Sequence, residues 1–419
     1  MPSIVALYHY FHPDDVVSAI HYSELCAGLQ KLGWDVTVLP CNRGCRDELR
    51  SYPARSDWRD IKIHRIWRPR IPQSNSLGRI VNMVWMLIAW SLAALRYKPD
   101  ILLVGTDPIL SVLVAIPWKI VRPSIKVAHW CFDLYPEAAF ADGLLDSSTR
   151  ISRLIKWLTK AAYARCDLLV DIGSCMGAHL MRDRPDGPRA TLTPWALLEP
   201  SRPFSIDVTE RKVAFPNARL TMLYSGSFGR AHAFERTLSL ARRLRDSNVV
   251  LAFSVRGNAV TELRAAVTSA DYNIGFRSFL SQDRLAARLS AADIHVVTLR
   301  DAWTGTVVPS KFFAALAVGR PVLFEGSPMS AIAIWIREFR VGWVLTADSE
   351  ESIAEELVAL SSDPRRLADL FDHCHAIYTS KFSKQLMIDA WNRELRVLCS
   401  FREETASSTS QTENKVAHV

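Results

Sequence analysis

The sequence predicts two successive α/β domains, each an open and mostly parallel sheet, set face to face across a cleft. Three observations carry that expectation. The chain has 419 residues, too many for one ordinary core and comfortable for two of roughly 200 residues each. Short apolar runs rich in β-branched residues alternate with helical patterns, first over residues 1–200 and again over 205–385. Between the two series the composition shifts at Arg182–Pro203 to RDRPDGPRATLTPWALLEPSRP, whose prolines and charges read as a domain linker.

The first series opens with the apolar run Ile4–Tyr8, the loop HYFHPDD and the stretch SAIHYSELCAGLQKLG. Apolar residues recur there at three and four positions, which predicts a helix, and Gly33 stops it. DVTVLP at 35–40 and KIHRIW at 62–67 read as strands. A helix over Arg79–Arg96, the strand DILLVG, a helix from Ile109, the strand IKVAHW, a helix from Thr149 and the strand DLLVDIG complete the first domain. The second series runs RLTMLYSGSF, a helix from Glu235, VVLAFSVRG, a helix from Thr261, NIGFRSF and a helix from Gln282. It continues through DIHVVTL, a helix from Ser310, RPVLFEG, a helix from Ser330 and VGWVLT. Residues 350–398 read as helical, 386–402 as a C-terminal helix, and the polar tail 403–419 is expected to be disordered. Sheets of this kind hold ligands at the carboxyl ends of their strands, so two facing sheets make one deep crevice suited to a two-substrate enzyme.

Composition narrows the class. Hydrophobic residues make up 49% of the chain, which excludes collagen-like and wholly disordered proteins. Eight cysteines are scattered through apolar runs, and Cys41 and Cys45 have no second pair at zinc-site spacing, so a reducing compartment and no metal are expected. The start MPSIVALYHYF lacks a charged n-region and a cleavage site and reads as a first strand, which predicts a cytoplasmic protein. Net charge is +8, yet between Arg50 and Arg165 there are 18 Lys or Arg against 8 Asp or Glu, so the basicity is concentrated in the first half.

Two segments of the second domain have the chemistry of a phosphate site. Tyr224-Ser225-Gly226-Ser227-Phe228-Gly229-Arg230 lies where its first strand gives way to a helix; glycines there let backbone amides approach a diphosphate, and Arg230 adds a fixed charge. The same segment also fits an ordinary tight turn. In VVPSKFFAALAVGRPVLFEG, Ser310 is placed to cap a helix, and Lys311 in its first turn is unfavourable for the helix dipole unless an anion sits nearby. A capped core helix with an exposed lysine is the other reading.

With YFHPDDVVSAIHYSELCAGLQKLGWDVTVL at the start and DLYPEAAFADGLL at 133–145, these segments resemble the retaining GT-B glycosyltransferases of family four. Within it they are most similar to the bacterial polysaccharide branch of colanic-acid and O-antigen fucosyl- and N-acetylfucosaminyltransferases. The resemblance implies a GT-B fold, two Rossmann-like domains facing an interdomain cleft, and transfer from a nucleotide-sugar donor, probable nucleotide UDP, without cofactor or essential metal. It implies Gly226, Ser227, Gly229, Arg230, Arg256, Thr306, Ser310 and Lys311 as the donor site, with retention of anomeric configuration. Most of that family carries two Glu eight positions apart where this chain has Thr306 and Ala314, so Arg230 and Lys311 are expected to take more of the diphosphate charge.

In the first domain Asp133 and Glu137 follow the strand IKVAHW at the end facing the cleft, where a carboxylate orients an acceptor hydroxyl or takes its proton. Asp133 equally suits a helix cap, His129 is expected to be core, and Asp14 and Asp15 to be solvated. Ile80–Leu95 is almost wholly apolar but short for a span, while HRIWRPR and TRISRLIKWLTKAAYAR are basic and aromatic. Together they suit an anionic inner-membrane surface and a polyprenyl-diphosphate-linked or glycan acceptor, against a buried core helix as the alternative. Nucleic acid fits poorly, because the charge accompanies apolar, Trp-bearing helices. A hydrolysing nucleotide-sugar epimerase, or a catalytically silent paralogue that binds a nucleotide sugar, are the competing functions.

Overall fold

The computed structural model of the protein describes residues 1–73, 76–279 and 282–416. In the first domain β1 (Ser3–Leu7), β2 (Asp35–Val38), β3 (Arg55–Trp58), β4 (Ile61–His64), β5 (Ile101–Val104), β6 (Lys126–Trp130), β7 (Leu168–Asp171) and β8 (Arg189–Thr191) form one sheet. Its order is β3-β4-β2-β1-β5-β6-β7-β8, parallel apart from the β3–β4 hairpin. Helices α1 (Val17–Lys31), α2 (Ser76–Arg96), α3 (Ala115–Val121), α4 (Glu137–Ala141), α5 (Arg150–Tyr163) and α6 (Ser174–Asp183) join and cover these strands. The central strand β5, ILLV, is buried at every residue, the expected state of a parallel strand covered on both faces. β3 is short, charged and half exposed, which suits an edge and carries little apolar signal.

In the second domain α7 (Val208–Ala214) leads into β9 (Leu220–Ser227), and α8 (Glu235–Arg243), β10 (Val249–Arg256), α9 (Val260–Ala265) and β11 (Ile274–Phe276) follow. Then come α10 (Gln282–Ala291), β12 (Ile294–Thr298), α11 (Lys311–Ala317), β13 (Val322–Glu325), α12 (Ala331–Phe339) and β14 (Gly342–Leu345). The described strands pair in parallel in the order β11-β10-β9-β12-β13-β14. That order reverses between β9 and β12, so a crevice opens beyond their carboxyl ends.

Helices α13 (Glu350–Ser361), α14 (Pro364–Lys381) and α15 (Lys384–Val416) bring the chain back to the first domain. Trp391 of α15 is wholly buried with its ring 5.2 Å from that of Trp130 in β6, and the Trp34 indole donates to Asn392. Gly28 of α1 makes this possible, since a Cβ there would lie 2.6 Å from Ile388 Cγ2.

Three readings need correction. The stretch Arg182–Pro203 is not wholly linker: α6 ends within it and β8 adds an edge strand to the first sheet, although only three residues pair. The helix placed from Arg79 starts at Ser76 and is 21 residues long. The tail 403–419 continues α15 as helix through Val416, because no Gly or Pro follows Lys384 to stop a helix already nucleated on the first domain; residues 417–419 lie outside the described residues.

Truncating the buried Trp391 to Ala should cost about 3–5 kcal/mol of unfolding free energy in a denaturant titration. The same change at the exposed Trp157 should stay within about 0.5 kcal/mol.

Candidate functional site

Between the two sheets lies a cavity of about 730 Å³. From the first domain and the crossover it is lined by Asp15, His21, Arg46 and Trp195; from the second by Gly226, Ser227, Arg256, Phe279, Ser310 and Lys311. The fold thus brings together five of the eight residues expected to hold the donor. Arg46, Arg256 and Lys311 give this lining positive charge, and Asp15, the one carboxylate among the described lining residues, is already paired with Arg46 Nε at 2.9 Å.

Lys311 is the centre of the arrangement. As the first residue of α11 it reaches back over the end of β9, where Gly226 has φ +130° and a Cβ would sit 2.8 Å from Lys311 Cε. Only glycine permits that approach. Its Nζ lies 3.5 Å from His232 Nε2 and 5.1 Å from the centre of the Tyr224 ring, and among the described residues no carboxylate reaches ion-pair distance. Burial lowers its pKa to about 8. Burial, then the Lys311 charge, pushes His232 down to about 3, so this ring is neutral beside the ammonium. Arg256 stacks its guanidinium 4.3 Å from the Phe279 ring centre and is exposed to the cavity.

The other expected donor residues sit differently. Ser310 is exposed and precedes α11, but its backbone is αR and its hydroxyl makes no cap bond, so the capping role does not hold and the hydroxyl faces the cavity. The Gly229 amide faces His232 Nδ1 at 3.1 Å and is held within its own turn. Arg230 points out of the cavity to Asp142 Oδ2 of the first domain, 3.6 Å away. Thr306 is buried; its hydroxyl donates to the Trp303 carbonyl at 2.9 Å, and its own carbonyl accepts from the Leu134 amide at 2.9 Å. Thr306, where the resemblance led one to expect a carboxylate, thus builds a strut between domains.

That strut carries Asp133, which forms a β-bridge with Val307. Burial first, then the charge of Asp107, raises the Asp133 carboxyl to about 6. Asp107 itself lies 3.4 Å from His9 Nδ1, so three polar side chains from the ends of β1, β5 and β6 gather on the first-domain side. Glu137 is not with them: it turns toward Lys156 of α5, 3.9 Å away, and burial raises its pKa. His129 is core as expected, with Nδ1 against the Val104 carbonyl. Asp14 is not solvated but accepts from the Cys45 amide and the Tyr52 hydroxyl.

Phe279, His232, Arg46 and Trp195 escape sequence reasoning, because each reaches the site from a loop or crossover without periodic signal; His21 lies on α1, where periodicity marks a helix and not which side chain meets the cavity. The His21 ring nitrogens face the carbonyls of Val17 and Trp195 at 2.8 and 2.7 Å. Carbonyls only accept, so this geometry favours the doubly protonated ring against burial, which lowers its pKa. A larger depression of about 1690 Å³ elsewhere on the second domain mixes acids and bases and includes none of the expected site residues. Among the described residues, no three His, Cys, Asp or Glu side chains cluster at metal-binding distance.

Residues 18–195 match the model of the glycosyl transferase 4-like domain. The probable glycosyltransferase WbjE of Pseudomonas aeruginosa is 25% identical over 287 residues, spanning 66% of this chain and 70% of that protein. The putative colanic acid biosynthesis glycosyl transferase WcaI of Escherichia coli K12 is 30% identical over 115 residues, 27% of this chain and 28% of that protein. Among solved structures, sucrose-phosphate synthase from Thermosynechococcus elongatus superposes with a TM-score of 0.72 at 13% identity, covering 96% of this chain and 100% of that one. Taken together, the chain has the GT-B fold, and its residues 18–195 are similar to the glycosyl transferase 4-like domain.

Proposed function

We propose that this protein is a glycosyltransferase that moves a sugar from a nucleoside-diphosphate donor, with UDP as the nucleotide, to a lipid-linked acceptor in surface polysaccharide synthesis. The observation that carries the reading is Lys311, an ammonium packed between Gly226 and His232 with no carboxylate partner among the described residues, at the cavity edge where strand order reverses. A diphosphate supplies the missing charge, and Arg256 stacked on Phe279 offers a second cation with a flat apolar surface beside it. The named relatives, a probable glycosyltransferase and a putative colanic acid glycosyl transferase, support this direction. Asp133, set on the strut from the second domain, is the group we assign to the acceptor hydroxyl, and transfer proceeds with retention and without a metal.

The acceptor reading rests on α2. Its buried residues are Gly78, Asn82, Met86, Trp90 and Ala94, a single stripe, while Ile88 and Leu92 are 55% and 60% exposed and Leu77, Ile80 and Leu95 are also bare. It is long and apolar enough to cross a membrane, yet the Trp90 indole donates to Leu39 and Trp118 donates to the Trp90 carbonyl, which ties it to the domain. α3 touches both α2 and α5, extending the face to Ile120, Ile151, Leu154 and Trp157. Arg79, Arg96, Lys98, Arg150, Arg153 and Lys160 are exposed around it. A helix so fixed and so exposed supports our reading that it lies in the plane of an anionic bilayer at the inner face of the cell membrane.

Lys311→Ala and Arg256→Ala should each weaken UDP binding more than tenfold by calorimetry, a loss of about 1.5–3 kcal/mol per charge-assisted contact; unchanged affinity in both would remove the donor site. With Asp133 active as the carboxylate, turnover should rise as pH increases through about 6. Asp107→Asn removes a charge that raises that pKa, so the acid limb should move to lower pH; a limb that stays in place would exclude Asp133. In flotation the protein should rise with anionic liposomes at low salt, and Ile88→Ser with Leu92→Ser should leave it at the bottom of the gradient.

A further inference from the structure

Two arginines, Arg43 after β2 and Arg68 after β4, gather beside His9 at the carboxyl ends of the first-domain strands, outside the cavity already described. Arg68 is wholly buried, with Nη1 only 3.4 Å from both His9 Nε2 and the Tyr10 hydroxyl, and its Nε and Nη2 have no partner among the described residues. Arg43 is buried beside it; its Nε makes a long contact to the Arg68 carbonyl at 3.4 Å and its Nη1 has no partner among the described residues. Nearby carboxylates serve other groups. Asp107 faces His9, Asp14 accepts from the Cys45 amide and the Tyr52 hydroxyl, and Glu48 accepts from the Gln73 amide at 2.8 Å. Among the described residues, two buried guanidinium groups therefore keep three N–H-bearing nitrogens without an acceptor, an arrangement that costs stability unless an anion completes it.

Position gives that anion a direction. The segment carrying Arg68 is bonded to the apolar helix: the Trp85 indole donates to the Trp67 carbonyl at 2.7 Å, and Asn82 Nδ2 donates to the Ile71 carbonyl at 2.8 Å. On its other side, His9 joins the cluster to Asp107. The unpaired donors thus stand between the face assigned to the bilayer and the carboxylates assigned to the acceptor.

We propose that Arg43 and Arg68 form a phosphate site for the lipid-linked acceptor, an inference that rests on the acceptor reading above. A guanidinium presents its N–H groups as a fork matched to phosphate oxygens, and binding there seats the acceptor's phosphate while its polyprenyl chain stays against α2. A phospholipid headgroup carries the same phosphate, so the test separates the two sources.

Full-length protein is titrated with phosphatidylcholine vesicles containing phosphatidylglycerol, and with charge-matched vesicles in which a polyprenyl phosphate replaces it. The wild-type protein should prefer the polyprenyl phosphate vesicles by about tenfold, the effect of one charge-assisted contact. Arg43→Gln and Arg68→Gln should each remove that preference and leave binding to phosphatidylglycerol vesicles unchanged. If Arg68→Gln fails to fold, Arg43→Lys decides, since it keeps the charge and loses the fork and should lose most of the preference. Equal binding of both vesicles by the wild type overturns the proposal, as does a preference that survives the Arg43 variants. Intact preference with no sugar transfer from any nucleotide sugar would instead sink the glycosyltransferase reading and leave the site standing.

Discussion

Positive charge held out of water without a carboxylate is the constraint around which this protein is arranged. Lys311 pays the desolvation of its ammonium in the cleft with a neutral imidazole and an aromatic face as its neighbours. Such a position is stable only because α11 and β9 are pinned by their own buried cores and because Gly226 leaves room for the lysine stem. Much of the local sequence serves that one contact. His232 is kept neutral by its surroundings, Tyr224 is buried beneath the ammonium, and the loop of Arg256 crosses behind Phe228.

The two domains meet through backbone as well as side chains. The loop after β12 uses Thr306 and Val307 to pair with Leu134 and Asp133, and Arg230 reaches Asp142 across the same gap. These backbone contacts tie the placement of Asp133 to the loop that precedes α11, so the two sides of the cleft share one segment.

The first domain leaves one long apolar helix only partly covered. α2 commits one stripe to the protein and leaves the rest of an apolar helix uncovered, which a water-facing helix does not tolerate over 21 residues without a partner. Arg122 fastens the end of this helix by donating to the carbonyls of Ala94 and Leu95 at 3.1 and 3.2 Å. The same domain supplies its own anchor for the chain terminus, through Trp391 against Trp130 and Lys384 against Glu24.

Most of the fold was legible because parallel strands announce themselves as short, mostly apolar runs: ILLV, LLVD, IHVVT and VLFE needed no context. β3 and β8 were not, since an edge strand of charged or polar residues is made by its neighbour rather than by its own sequence. Gly226 and Lys311 were likewise visible as residue types at strand and helix ends, and so was Asp133 after its strand. What only tertiary structure decided was their direction. It turned Arg230 and Glu137 away toward Asp142 and Lys156, gave Thr306 to the domain contact, and brought Phe279, His21 and Trp195 to the cavity. Sequence determined which segments become strands and helices, because that depends on local periodicity and burial; the aim of each side chain depends on partners far along the chain, and only the packed structure supplies them.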